Sequence, residues 1–267
     1  MQRKGEGYTI LFSGAVCIIC SAFVAGAAVF LKDKQDINLL VDRKEKVLTV
    51  CHLIEPTEKL TNEQVLERFE KNIVPKVVDL KTGDYVPEDQ IDPAAYDQQK
   101  AKNDPAMSEE APRNPAQISR VPKYALVYQV KPADEVTMIV LPIEGKGLWS
   151  TLYGYLVLDK DLTTILGLTF YAHAETPGLG GEVDNPSWKA KWPGRKAFDE
   201  AHEPAIAVVK GGVGSPEEDP HKVDALSGAT ITSNGVTYLL QFWLGENGFG
   251  PYLDKLREPA AASAQPA

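Results

Sequence analysis

The stretch TLYGYLVLDKDLTTILGLTFY, residues 151–171, decides the fold. Thr151 to Leu158 and Thr163 to Tyr171 are rich in β-branched and aromatic residues, which suit a pleated, half-buried surface. Asp159-Lys160-Asp161 joins them as a turn. Upstream, Tyr124 to Val130 and Val136 to Ile143 form a similar pair, with a turn near Pro132–Asp134. Gly145 and Gly147 punctuate the break before Thr151. Successive strands of this kind predict an antiparallel sheet with helices segregated before and after it. Ala205 to Lys210 reads as one more strand, and Pro186 to Lys191 as a short helix. The predicted class is α+β: a mixed, largely antiparallel sheet with flanking helices.

Before the sheet, Gly7 to Leu31 carries no charged residue. At about 1.5 Å per residue, about 25 residues cross a hydrocarbon core of roughly 30 Å. Residues 1–34 are therefore read as an N-terminal segment with one transmembrane helix. Ala25-Gly26-Ala27 fits a signal-peptidase site, but the apolar run is long for a cleaved leader. Residues 35–86 form a helical and α+β lead-in. Ile37, Leu40, Val41, Val47, Leu48 and Cys51 have rough helical spacing. Thr61-Asn62-Glu63-Gln64 matches a capping box, followed by Val65, Leu66, Phe69 and Ile73 on one face. Val74 to Leu80 reads as a short strand, a reading that Pro75 weakens. Residues 87–122 are rich in Pro, Asp, Gln and Ala and read as a surface insertion. Residues 258–267 form an Ala/Pro-rich tail.

Two stretches carry chemistry. In Ser227-Gly228-Ala229-Thr230-Ile231-Thr232, small residues precede a threonine and an apolar helix. Ser233 and Asn234 read as the helix cap, with Val236, Leu239, Leu240 and Trp243 as its apolar stripe. A small-residue turn entering a helix presents free N–H groups and suits a phosphate. A hydroxyl there either hydrogen-bonds the phosphate or is esterified by it, and spacing does not choose. The second stretch, Tyr171 to Glu182, contains His173-Ala174-Glu175-Thr176-Pro177-Gly178-Leu179-Gly180 and bends sharply after a strand. Glu175 and Thr176 are placed to hydrogen-bond the edge of a planar ligand, and Leu179 to lie on its face.

Asp224-Ala225-Leu226-Ser227-Gly228-Ala229-Thr230 resembles the flavinylation motif of the FMN-binding domain family, and the His173–Gly180 stretch resembles the same family's ring-contacting loop. The resemblance implies covalent FMN, joined through its phosphate to Thr230 and not Thr232, with residues 123–257 as the FMN-binding domain. It implies that Asp224, Ser227, Gly228, Ala229, Glu175, Thr176, Leu179 and Gly180 serve the cofactor. Lys210 matches a basic position upstream of the motif. A separate flavin transferase would make the ester, since no base stands beside Thr230 in sequence. Two membrane-anchored kinds of family member share the helix, domain and motif. One belongs to an ion-translocating NADH–quinone reductase; a shorter one belongs to the Rnf-type electron-transport complex. The insertion and the overall length favour the first. Its partners would be the other subunits of that complex, with NADH and quinone bound elsewhere. The N-terminus would be cytoplasmic and the domain periplasmic, anchored in a bacterial inner membrane. The rival of another class is a membrane-anchored adaptor without flavin.

Other signals exclude. A net charge of −9 opposes nucleic-acid binding, which needs a basic face. Gly178-Leu179-Gly180-Gly181 lacks the Rossmann spacing, and in Lys210-Gly211-Gly212-Val213-Gly214 the lysine precedes the glycines, unlike a Walker loop. His52, His173, His202 and His221 show no metal-ligand spacing, so no metal site is expected. His173 is read as structural or as a weak neighbour of the ring. Cys17 and Cys20 form a CxxC inside the apolar run and are read as buried small residues; Cys51 is alone.

Overall fold

The computed structural model describes residues 5–55, 57–131 and 135–263, and the turn expected at Pro132–Asp134 lies outside them. Helix α1 runs unbroken from Glu6 to Val50, so the boundary expected after Lys34 falls within it. Its apolar part is exposed on all sides, and it is long and apolar enough to cross a membrane. Cys17 and Cys20 are exposed on this helix, contrary to the expectation of burial, because no other described element packs there. Helix α2, Asn62–Asn72, begins with the full reciprocal capping box of Thr61 and Gln64.

Strands β1 (Ile73–Asp79), β4 (Tyr124–Val130), β5 (Met138–Lys146), β6 (Thr151–Asp159) and β7 (Ile165–Ala172) form one antiparallel sheet in the order β1-β4-β5-β6-β7. Pro75 lies on the edge strand, where its missing N–H breaks no ladder bond. Both faces are covered. Val140, Tyr155 and Val157 pack with Val47, Leu48, Val50, Val65 and Phe69 of α1 and α2. Ile139, Leu141, Leu152, Leu156 and Phe170 pack on the other side with helix α5, Thr230–Leu244. The two-residue period of a strand delivers alternate side chains to the two cores.

The insertion is more ordered than its composition predicts. It holds helix α3 (Gln98–Asn103) and the small hairpin of β2 (Ser108–Glu110) and β3 (Arg120–Pro122). Buried Ala101, Ser108, Ala116 and Ile118 anchor it, and side-chain bonds replace bulk apolar burial. The Tyr96 hydroxyl donates to the Tyr124 carbonyl at 2.7 Å, and Leu126 N donates to Gln98 Oε1 at 2.8 Å.

After β7 come a 3-10 turn, Gly180–Asp184, and the short helix α4, Pro186–Lys189. Strands β8 (Ala207–Val209) and β9 (Lys222–Asp224) form a parallel pair; β9 has no sequence signal beyond Val223. Helix α6 spans Gly250–Ser263 and takes in most of the expected tail. Helix α5 approaches the sheet so closely that a Cβ at Gly235 would lie 2.4 Å from the Lys146 carbonyl oxygen. Gly235→Ala should therefore lower the unfolding free energy by about 2 kcal/mol through overpacking, measured by urea denaturation.

Candidate functional site

Three segments far apart in sequence converge on one carboxylate. Glu175 follows β7 and is 5% exposed. One oxygen, Oε1, accepts from the N–H groups of Trp149 (2.9 Å) and Ser150 (3.2 Å) in the β5–β6 turn. The other, Oε2, accepts from Leu148 N (3.2 Å) and from the Thr232 hydroxyl on α5 (2.6 Å). Side chains at Gly147 and Gly180 would crush this arrangement, since their Cβ atoms would lie 2.6 Å from the Glu175 oxygens. Burial pushes the Glu175 carboxyl up, but the Thr232 hydroxyl and the three N–H donors more than reverse this, holding it below the usual carboxylate range. The bond expected from Glu175 to a ligand edge has four protein donors in its place here. Both oxygens are occupied, and Glu175 ties the β5–β6 turn to α5.

Helix α5 begins at Thr230, with Ala229 as its N-cap residue. The expected cap at Ser233 and Asn234 is thus already inside the helix. The Ser233 hydroxyl instead accepts from Leu226 N at 3.0 Å, fastening the incoming turn to the helix. Gly228 sits at φ +71, a left-handed conformation that glycine adopts without strain. Ser227, Gly228 and Thr230 are exposed, while Ala229 is buried and anchors the turn. No side chain caps the helix, and the N–H groups of Thr230, Ile231 and Thr232 meet no acceptor among the described residues. The aligned peptide dipoles add a positive potential of roughly half a charge at this end. The two candidate hydroxyls are in opposite situations: Thr230 faces solvent, whereas Thr232 is 1% exposed and donates to Glu175.

The ring-loop residues arrive beside this turn. Leu179 is 45% exposed, with its Cδ2 atom 3.1 Å from where a Gly228 Cβ would stand. Thr176 is exposed; its carbonyl accepts from Leu179 N (3.1 Å) and Gly181 N (2.9 Å), which shapes the bend. Gly180 is buried against Glu175 and Thr232. Lys210 is exposed just past β8, at the same end of the parallel pair from which the Asp224–Thr230 turn departs. Asp224 is partly buried where the turn leaves β9. It pairs with Lys191 at 2.8 Å and accepts from Val213 N at 3.2 Å, holding the glycine loop, and the Lys191 ammonium keeps its carboxyl below the usual range. His173 bonds Asp184 at 2.8 Å.

Two neighbours escape the sequence reading, Leu148 and Ile231, and a third, Trp149, is not assigned to the site by it; all are exposed apolar side chains on the same converging segments, with Trp149 66% exposed. The available signal is Ile231 directly after the threonine; Trp149 is brought in only by its backbone bond to Glu175. Trp188, Trp192 and Trp243 are core residues instead. An open hydroxyl, free helix N–H groups and exposed apolar side chains fit a phosphate ester carrying a flat, partly apolar body.

Residues 147–245 match the FMN-binding domain family. The chain is 46% identical over 246 residues to the NqrC protein of the Na(+)-translocating NADH-quinone reductase of Vibrio anguillarum, covering 91% of this chain and 92% of that one. It is 45% identical over 263 residues to the corresponding protein of Pseudomonas aeruginosa, covering 97% and 99%. The crystal structure of Shewanella oneidensis NqrC superposes with a TM-score of 0.74 at 33% identity, over 80% of this chain and 96% of that chain. The chain therefore belongs to the NqrC family of Na(+)-translocating NADH-quinone reductase subunits.

Proposed function

We propose that this chain is the membrane-anchored flavoprotein subunit of a Na+-translocating NADH–quinone reductase, with FMN esterified through its phosphate to Thr230. The observation that carries the reading is the contrast between the two hydroxyls: Thr230 is open at the free end of α5, and Thr232 is buried on Glu175. When bound, FMN supplies electron transfer between partners that cannot meet directly.

The chain's own residues do the rest. The N–H groups of Thr230, Ile231 and Thr232, with the potential of α5 behind them, face the position of an anionic phosphodiester. Lys210 adds a positive charge there. Leu179 and Thr176 present an apolar face and a polar edge to a flat ring, and Glu175 ties the β5–β6 turn to α5. Asp224 keeps the glycine loop folded against β9. The ester prevents loss of the cofactor outside the cytoplasm and leaves the ring free to exchange electrons. No base stands beside Thr230 in sequence, so a flavin transferase makes the bond, moving the FMN group from FAD to the hydroxyl as AMP leaves. Helix α1 crosses the inner membrane once with its N-terminus in the cytoplasm, and the domain lies in the periplasm. The other subunits of the complex hold the NADH and quinone sites.

Chain purified after co-production with a flavin transferase should weigh more than the bare polypeptide by one FMN less one water. Peptide mass spectrometry should place the addition on Thr230. An unmodified mass, or an adduct on Thr232, overturns the reading.

A further inference from the structure

On the sheet face opposite α5, the structure contains a second cavity of about 620 Å³. Its walls come from the lower part of α1, from β4, β6 and β7, and from the insertion at Pro93–Lys102. Five tyrosines line it, at 96, 128, 153, 155 and 171, and Tyr155 stands 6.1 Å from Tyr128 and 4.9 Å from Tyr171, ring centre to ring centre. Two cations on α1 also line it. The Arg43 guanidinium lies 5.2 Å from the centre of the Tyr171 ring, and the Lys44 ammonium 4.8 Å from that of Phe69. Both cations are half-buried, and no carboxylate lies within ion-pair distance of either among the described residues. Glu70 lines the cavity but is exposed and outside that distance. The other lysine deep in the site, Lys102, is neutralised by buried Glu144.

We propose that this cavity binds a small organic anion, its oxyanion group on Arg43 and Lys44 and its aromatic or aliphatic body against Tyr128, Tyr155 and Tyr171. A guanidinium stacked on a ring keeps its edge N–H donors free, and those donors match a phosphate, sulfonate or carboxylate. Half-desolvated cations without a counter-charge favour an anion over any neutral ligand. Burial raises the pKa of Tyr128 to about 12 and raises those of Tyr155 and Tyr171 as well, so these phenols stay neutral and do not repel it. The volume is that of a ligand pocket, since such sites run to roughly 300–1,000 Å³.

The site also gives the insertion a purpose. Gln99 donates to the Tyr171 hydroxyl at 3.1 Å, and Lys102 ties α3 to Glu144, so the segment read from composition as a loop is stapled down as a cavity wall. None of these residues belongs to the site at Thr230, so the inference does not rest on the flavin reading.

The test is titration calorimetry of the full chain in detergent with 1-naphthyl phosphate. One saturable site is expected, much weaker for neutral 1-naphthol. The double variant Arg43→Gln, Lys44→Gln should weaken binding at least tenfold. Ala95→Trp, which blocks the mouth from the insertion side, should do the same without touching α1. Flavin-loaded and flavin-free protein should bind alike. Absence of saturable binding, affinity unchanged in both variants, or binding by flavin-free protein alone would overturn the proposal; the last result would put the probe at α5.

Discussion

Thr230→Val should abolish covalent flavin while leaving the fold intact. The side chain is exposed and accepts or donates no bond among the described residues, so its loss opens no cavity and strands no donor. Surface substitutions of this kind usually change stability by no more than about 0.5 kcal/mol. The chemical effect is complete, since valine has no oxygen to form an ester. Thr232→Val should behave in the reverse way. It removes a 2.6 Å bond to a buried carboxylate and costs about 2 kcal/mol of stability, but it keeps the exposed hydroxyl and hence the flavin. Flavin fluorescence on denaturing gels, set beside thermal unfolding, separates the two. Flavin retained by Thr230→Val and lost from Thr232→Val would sink the assignment.

Glu175→Ala should be the most damaging single change in the site. It leaves the N–H groups of Leu148, Trp149 and Ser150 and the Thr232 hydroxyl without their acceptor. At about 1–3 kcal/mol for each buried group left unsatisfied, partly relieved by entering water, the loss should be about 4 kcal/mol. Both loops would loosen, so flavin attachment should fall as well. The pH dependence has a definite sign. The folded carboxyl titrates below its unfolded value, so its stabilisation is present above the unfolded value and disappears as pH falls through the folded one. The stability gap between wild type and Glu175→Gln should therefore be full near neutrality and shrink below about pH 4. A gap that widens on acidification would show that the carboxylate is not the stabilising form.

Much of this is legible from local pattern. The Thr61 capping box, the strand from Tyr124 to Val130 and the hairpin of residues 151–171 are set by side-chain period and turn chemistry, which act over a few residues. The start of α5 is misplaced by the sequence pattern because Ser233 has the chemistry of a cap, yet its hydroxyl is claimed by Leu226 from across the turn. The insertion reads as unstructured because composition registers apolar burial and overlooks bonds such as that of Tyr96 to the Tyr124 carbonyl.

The sequence by itself determined the strands of the main sheet, the apolar N-terminal helix and the small-residue turn that ends in Thr230. Only the tertiary structure decided that Glu175 ties the β5–β6 turn to α5, that Thr232 is closed off while Thr230 is open, and that α1, the insertion and the sheet enclose a second cavity. The reason is distance along the chain. Glu175 and Thr232 are 57 residues apart, and Gln99 and Tyr171 are 72 apart. Which donor meets which acceptor over such spans is fixed by strand pairing and helix packing, and no local periodicity records it.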